Sequence, residues 1–143
     1  MIIKQLSIFL ENKSGRLTEV TGILADNHIN ISALSIAESA DYGVLRMIVD
    51  HPEEAILALK EANLSVRTTD VIAIITPDTP GKLHSAIKYL SDENINVTYM
   101  YGYSNNNKAF IIMKVSNPEK AVETLKKKEI ELISPSTFYA PNE

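Results

Sequence analysis

Two short segments carry residue types suited to holding a small charged molecule. The first is Asn12-Lys13-Ser14-Gly15-Arg16-Leu17 and the second is Asp78-Thr79-Pro80-Gly81-Lys82-Leu83. Each opens a stripe at helical spacing: Leu17, Val20, Thr21, Leu24 in one case and Leu83, Ala86, Ile87, Leu90 in the other. A helix start presents backbone N–H groups without intrahelical acceptors and a partial positive charge. It can hold a carboxylate without a dedicated basic side chain. Glycine lets a ligand approach the main chain closely. Asn12 or Asp78 supplies an acceptor for an ammonium group. One such loop offers partners to both halves of a free amino acid. A plain capped helix start, with glycine required by the turn, uses the same residues and needs no ligand.

A second motif follows each loop. Ile29-Asn30-Ile31 recurs as Ile95-Asn96-Val97, where the helix hands over to a strand. The asparagine either caps the turn with its side chain or lines a cleft beside a glycine loop of a neighbouring unit. Both motifs belong to a longer repeat. Gly15 recurs as Gly81, Pro52 as Pro118 and Leu59 as Leu125, each 66 residues on (81 minus 15). A constant offset implies two copies of one structural unit, with boundaries near 1–68 and 69–143.

The elements that position these motifs follow from periodicity. In copy one, Leu6, Ile8 and Leu10 alternate along an opening strand, and a helix follows the glycine loop. Two strands, about 30–38 and 43–50, flank a polar turn at Ser39-Ala40-Asp41. A second helix starts at Pro52, and Leu64-Ser65-Val66 closes the unit. Copy two repeats the order, with strands at about 71–75, 96–104 and 109–116 and a last strand at Ile130-Glu131-Leu132. Thr79 is expected as N-cap of its first helix, with Pro80 at the first helical position. Asn117 is expected to cap the helix that begins at Pro118. A linker of only about 67–70 joins the copies. The order βαββαβ, twice, predicts an α+β protein of two tandem ferredoxin-like units, antiparallel sheets packed side by side and helices on one face.

Leu45, Met47, Val49 and Ile111, Met113, Val115 should face those helices. Val44, Ile48, Phe110 and Ile112 then point the other way, beside Phe9, Val71 and Ile75. An apolar second face implies an interface, most simply a homodimer, unless these are scattered surface hydrophobics.

At the glycine loops and the Ile-Asn-Ile starts the chain resembles the ACT domain family of small-molecule regulatory modules. The family pattern is an opening strand, an Asp/Asn-x-Pro-Gly-x-Leu type turn, a helix and an Ile-Asn-Ile strand start. Residues 78–83 match that turn closely, and residues 12–17 differ in having Ser14 for proline. The resemblance spans essentially the whole chain as a tandem pair of the free-standing amino-acid-binding type. It implies an amino acid held where the loop of one unit faces the second strand of another. Carried over by position, the ligand-binding residues are Asn12, Ser14, Gly15, Arg16, Leu17, Asn30 and Ile31 in copy one. In copy two they are Asp78, Pro80, Gly81, Lys82, Leu83, Asn96 and Val97.

Other chemistries find little support. His28, His51 and His84 lie in three different contexts, so no metal site is expected. There is no cysteine, which excludes disulfides and thiolate ligands. Neither Gly-x-Gly-x-x-Gly nor a Walker loop occurs. The glycine-valine phosphate loop of acylphosphatases, which share the element order, is absent too. Tyr99, Tyr101 and Tyr103 share one strand face, as base-stacking aromatics do in RNA-recognition motifs. A net charge of −4 provides no basic surround, and copy one has Ala33, Ser35 and Ala37 there. A core or interface ladder, or an aromatic wall of a ligand pocket, suits the tyrosines better. Neither a leader peptide nor a bilayer-length apolar run is apparent, so a cytoplasmic protein is expected. The expectation is an amino-acid-binding regulatory module with no catalytic residues and no cofactor. It would be a homodimer that can act on a partner enzyme, with no nucleic-acid or membrane partner. The competing expectation is an interaction module that docks onto an enzyme through its sheet face or edge without a ligand.

Overall fold

The computed structural model of the chain describes residues 1–139. In chain order the elements are β1 (Ile3–Glu11), α1 (Arg16–Asp26), β2 (Ile31–Glu38), β3 (Tyr42–Val49), α2 (Pro52–Glu61) and β4 (Ser65–Pro77). They continue with α3 (Lys82–Asp92), β5 (Val97–Asn105), β6 (Lys108–Val115), α4 (Pro118–Lys127) and β7 (Glu131–Leu132), then a 3-10 turn at Pro135–Thr137. The architecture is two tandem ferredoxin-like βαββαβ units.

The chain separates into two compact units. One comprises Lys4–Thr69 with Phe138 and Tyr139; the other comprises Met1–Ile3 and Asp70–Thr137. Residues 67–70, expected as a linker, instead lie inside the continuous strand β4. Val66, Thr68 and Val71 supply the β-branched side chains that favour an extended backbone there.

In the first unit β3 pairs antiparallel with both β1 and β2. Leu6 stands opposite Met47 and Ile8 opposite Leu45, and these four fully buried side chains form the sheet side of the core. Val20 and Leu24 of α1 and Ala55 and Leu59 of α2 close it from the helix side. The second unit repeats the arrangement: β6 pairs with β4 and β5, and β7 adds to the other side of β4. Ile72, Ile74, Ile111 and Met113 meet Ala86, Leu90, Ala121 and Leu125. Inward side chains therefore fall at alternate strand positions and at three- and four-residue helix spacing.

The sheet face turned from the helices is less bare than its sequence suggests. Ile48, Val71 and Ile112 are buried within the single chain, and they belong to neither helix-side core. Val44, Ile75 and Phe110 are half-buried, while Phe9 stays 55% exposed. Among the described residues no helix is long and apolar enough to cross a membrane.

Candidate functional site

Each glycine loop folds the same way. Gly15 (φ 92°) and Gly81 (φ 89°) are the N-cap residues of α1 and α3, in the left-handed region that glycine enters without cost. Pro80 therefore precedes the helix instead of opening it, and Thr79 is not the cap. The left-handed residue at Gly81 fixes where the helical register begins. Neither cap makes a side-chain hydrogen bond to the first turn. The Arg16 and Lys82 amides each donate 3.3 Å back to the carbonyls of Lys13 and Thr79. Gly15 O and Gly81 O each accept from the helix four residues on, at 3.0 Å. The next two amides in each helix, Leu17–Thr18 and Leu83–His84, have no intrahelical acceptor by geometry. They are donors available to a carboxylate. A Cβ built on either glycine meets nothing within 4 Å, so the space above both turns is open.

Both loops are tied to the hairpin beside them. Asn12 N–H donates to Asp41 O, and Asp78 N–H donates to Asn107 O, each at 2.9 Å. Asn12, Asp78 and the loop residues up to Gly15 and Gly81 are exposed; Leu17 is 39% exposed, and Leu83 is half-buried against its core. The charged neighbours differ. Arg16 bonds Glu19 at 3.3 Å, and Lys13 bonds Glu11 at 2.9 Å. The hydrogen bond and charge of Lys13, with a smaller pull from Arg16, hold the Glu11 carboxyl below its ordinary range. In copy two, Pro77 and Thr79 replace that ion pair.

Asn30 and Asn96 sit at the opposite end of each unit from the glycine loop. The loop lies by the β2–β3 or β5–β6 turn, whereas Asn30 and Asn96 precede the far ends of β2 and β5. An eight-residue strand separates the two motifs by about 25 Å. Within one unit they do not converge. The asparagine does not cap with its side chain as one reading expected; its main chain does the bonding. Asn30 N–H donates to Asp50 Oδ1 at 2.9 Å and Asn30 O accepts from Asp50 N–H at 3.1 Å. Asn96 makes the same pair of bonds with Ser116. The ladder is irregular just beyond, between Ile31 and Ala33 and between Val97 and Tyr99. Such irregularities re-aim side chains near binding sites.

Other candidates are accounted for. Among the described residues no group of His, Cys, Asp or Glu is placed to hold a metal ion. His28 follows α1 at positive φ, His51 is the N-cap of α2, and His84 is on α3. Tyr99 and Tyr101 are half-buried; Tyr103 stacks on Phe110 with ring centres 5.2 Å apart. Two hollows escaped sequence reasoning, since strand register assembles them. One, of about 430 Å³ in the first unit, is lined by Ile56, Lys60, Val66, Arg67 and Thr68. The other, of about 250 Å³ in the second unit, adjoins Asn107 and hence the second glycine loop. None of the residues expected at the ligand site lines either one.

A family model described as "ACT domain pair" matches residues 1–139. No curated protein matches the chain. The crystal structure of protein BT0572 from Bacteroides thetaiotaomicron is 50% identical, with a TM-score of 0.93, covering 99% of this chain and 98% of that one. The ligand-free regulatory subunit of aspartate kinase from Thermus thermophilus is 14% identical at a TM-score of 0.66, covering 87% and 91%. The corresponding subunit from Thermus flavus is 12% identical at a TM-score of 0.60, covering 89% and 94%. The two kinase subunits share the fold.

Proposed function

The chain belongs to the ACT domain family, and on that premise we propose that it binds an amino acid or similar small zwitterion as a regulatory module without catalysis of its own. The family is typically regulatory and ligand-binding. One observation carries the proposal: two helix starts, 66 residues apart, share the same left-handed glycine cap, the same open space and the same uncapped first turn. The amides after Gly15 and Gly81 hold the carboxylate, and Asn12 or Asp78 with nearby carbonyls holds the ammonium. Ser14, Arg16 and Leu17, with Pro80, Lys82 and Leu83, shape the loop rim.

A ligand that also touches Asn30–Ile31 or Asn96–Val97 takes its two motifs from different ACT units, since one unit keeps them at opposite ends. A homodimer meets this requirement. β2 is a sheet edge and carries Leu34 and Ile36, 52% and 48% exposed. An exposed apolar edge strand invites pairing with another chain. If an edge of a second copy pairs antiparallel with β2, the strand start of one copy comes beside the glycine-loop end of the other. Ligand binding would then bias association, which transmits the signal to a partner enzyme.

A thermal-shift screen of the proteinogenic amino acids at about 10 mM tests the proposal, because a ligand specific to the folded state raises Tm. Affinity in the micromolar to millimolar range is expected for a molecule of about ten heavy atoms. Gly81→Val should abolish binding at the second loop, because a β-branched residue strains the left-handed cap, with circular dichroism checking that the rest of the unit stays folded. Leu34→Lys with Ile36→Lys should yield a monomer in sedimentation. No shift with any amino acid favours the interaction module instead, docking through the same edge.

A further inference from the structure

The hollow of about 250 Å³ in the second unit reaches the second glycine loop at Pro77 and Asn107 but is not lined by residues 81–84, whose amides open α3, and strand register decides which residues face it. Pro77 stands opposite Lys108 on β6, and Ile75 stands opposite Glu131 on β7. Directly opposed residues share a sheet face, as do residues two apart on a strand. Ile75, Pro77, Lys108 and Glu131 are therefore on one face, the one turned from α3 and α4. Asn106 and Asn107, at φ 51° and 65°, form the tight turn that closes one end.

The two charges flank this hollow without meeting. Among the described residues, the ion pairs include neither Lys108 nor Glu131. β4 keeps them apart: strands on either side of a third are about 9.5 Å from each other, and the two-residue offset adds roughly 7 Å along the strand. A cation stands at one end of the hollow and an anion at the other, with Ile75 and Pro77 as an apolar floor between them. The volume falls short of the roughly 300–1,000 Å³ typical for drug-sized ligands, so the occupant is smaller.

Copy one is an internal control. At the positions 66 residues earlier it has Tyr42 for Lys108, Ser65 for Glu131, Phe9 for Ile75 and Glu11 for Pro77. Of these four residues only Glu11 is charged, and it pairs with Lys13, so the Lys108 and Glu131 combination is a feature of copy two and not of the repeat.

We infer that this hollow is a separate binding site for a small molecule that carries a carboxylate and an ammonium group at the ends of a short aliphatic chain. Lys108 meets the carboxylate, Glu131 meets the ammonium, and the Asn106 and Asn107 side-chain amides line the rim. The site does not depend on ligand binding at the glycine loops, although Asn107 O, which accepts from Asp78 N–H, lies one hydrogen bond from the second loop.

Amide NMR of the full chain, titrated with glycine, β-alanine, γ-aminobutyrate and ε-aminocaproate, tests this inference and measures the span between the charges. Saturable shifts at residues 106–108 and 131 are expected, strongest at one chain length. Lys108→Ala and Glu131→Ala, both at exposed positions, should each weaken that binding by about fivefold or more, since each removes a charge-assisted hydrogen bond. Gly81→Val should leave it unchanged, which separates this site from the glycine loop. The inference is overturned if no probe gives a saturable shift, or if both charge variants bind as the parent does. Equal binding of propionate or propylamine overturns it too, as does loss of binding in Gly81→Val alone.

Discussion

The two copies hold almost the same backbone around different side chains. At the glycine loops, Ser14 and Pro80, Arg16 and Lys82, and Asn12 and Asp78 differ, yet the cap φ values are 92° and 89° and three loop hydrogen bonds recur, with Lys13 N–H to Glu11 O added in copy one. The glycine and the helix register set that geometry, and the neighbouring side chains are free to vary. The strands after the loops diverge further. Copy one has Ala33, Ser35 and Ala37 where copy two has Tyr99, Tyr101 and Tyr103. Duplication preserved a scaffold that presents amides, while the surroundings that would select a ligand separated.

The equivalence of the two cores is open to the strongest test. Leu24→Ala and Leu90→Ala occupy the same buried place and should each cost about 2–5 kcal/mol in urea unfolding. Markedly unequal losses would mean that the units do not bear load alike. Next comes a position where the copies part. A Cβ at Gly102 would run into the Phe110 carbonyl oxygen, whereas the matching residue of copy one, Ile36, carries a full side chain. Gly102→Ala should therefore destabilise by about 1–3 kcal/mol through overpacking. A neutral result would show that β5 can move enough to admit the methyl group.

Smaller effects concern single hydrogen bonds. Asp50→Ala should cost about 1.5–3 kcal/mol and Ser116→Ala about 0.5–1.5 kcal/mol, because a charged acceptor holds Asn30 N–H and a neutral one holds Asn96 N–H. Both values should fall near the low end, since these bonds are exposed. Asn117 accepts from Lys120 N–H at the start of α4, while His51 provides no side-chain cap for α2. Asn117→Ala should lose about 1 kcal/mol, and His51→Asn should gain up to about 1 kcal/mol. Reversed signs would argue that the α2 start is satisfied in another way.

The smallest difference is electrostatic and confined to copy one. The Lys13 ammonium keeps the Glu11 carboxyl below its ordinary value of 4.5, so the folded chain protonates there less readily than the unfolded chain. That contribution to stability is present above the ordinary value and fades as pH falls through the lowered one. Lys13→Ala should return Glu11 to the ordinary range in an NMR pH titration, with only a slight change in acid stability because the pair is exposed. No corresponding titration is expected from Pro77 and Thr79.

Most of the architecture was legible because its signals are local. Alternating Leu6, Ile8 and Leu10, the stripe through Val20 and Leu24, and prolines 52 and 118 gave strands and helices within about two residues of those observed. The constant offset added the two-unit organisation. Four features misled or gave no signal, each for a physical reason. Residues 67–70, expected as a linker, continue β4 because Val66, Thr68 and Val71 favour an extended backbone. Pro80 satisfies the usual preference for a first helical residue, but the positive φ of Gly81 moved the start beyond it. Asn30 bonds a residue twenty positions away, a partner that no local pattern marks. The apolar second face suggested an uncovered surface, yet Ile48, Val71 and Ile112 are buried.

The order of residues along the chain thus dictated element types, the duplication and the two glycine turns, because each depends on neighbours within one or two turns of backbone. Tertiary pairing decided the remainder. It set the loop and the strand start of a unit about 25 Å apart, and it brought Lys108 and Glu131 to one face across β4. Register between strands is a long-range choice, made by which faces bury together, and it is what turns separate charged residues into a site.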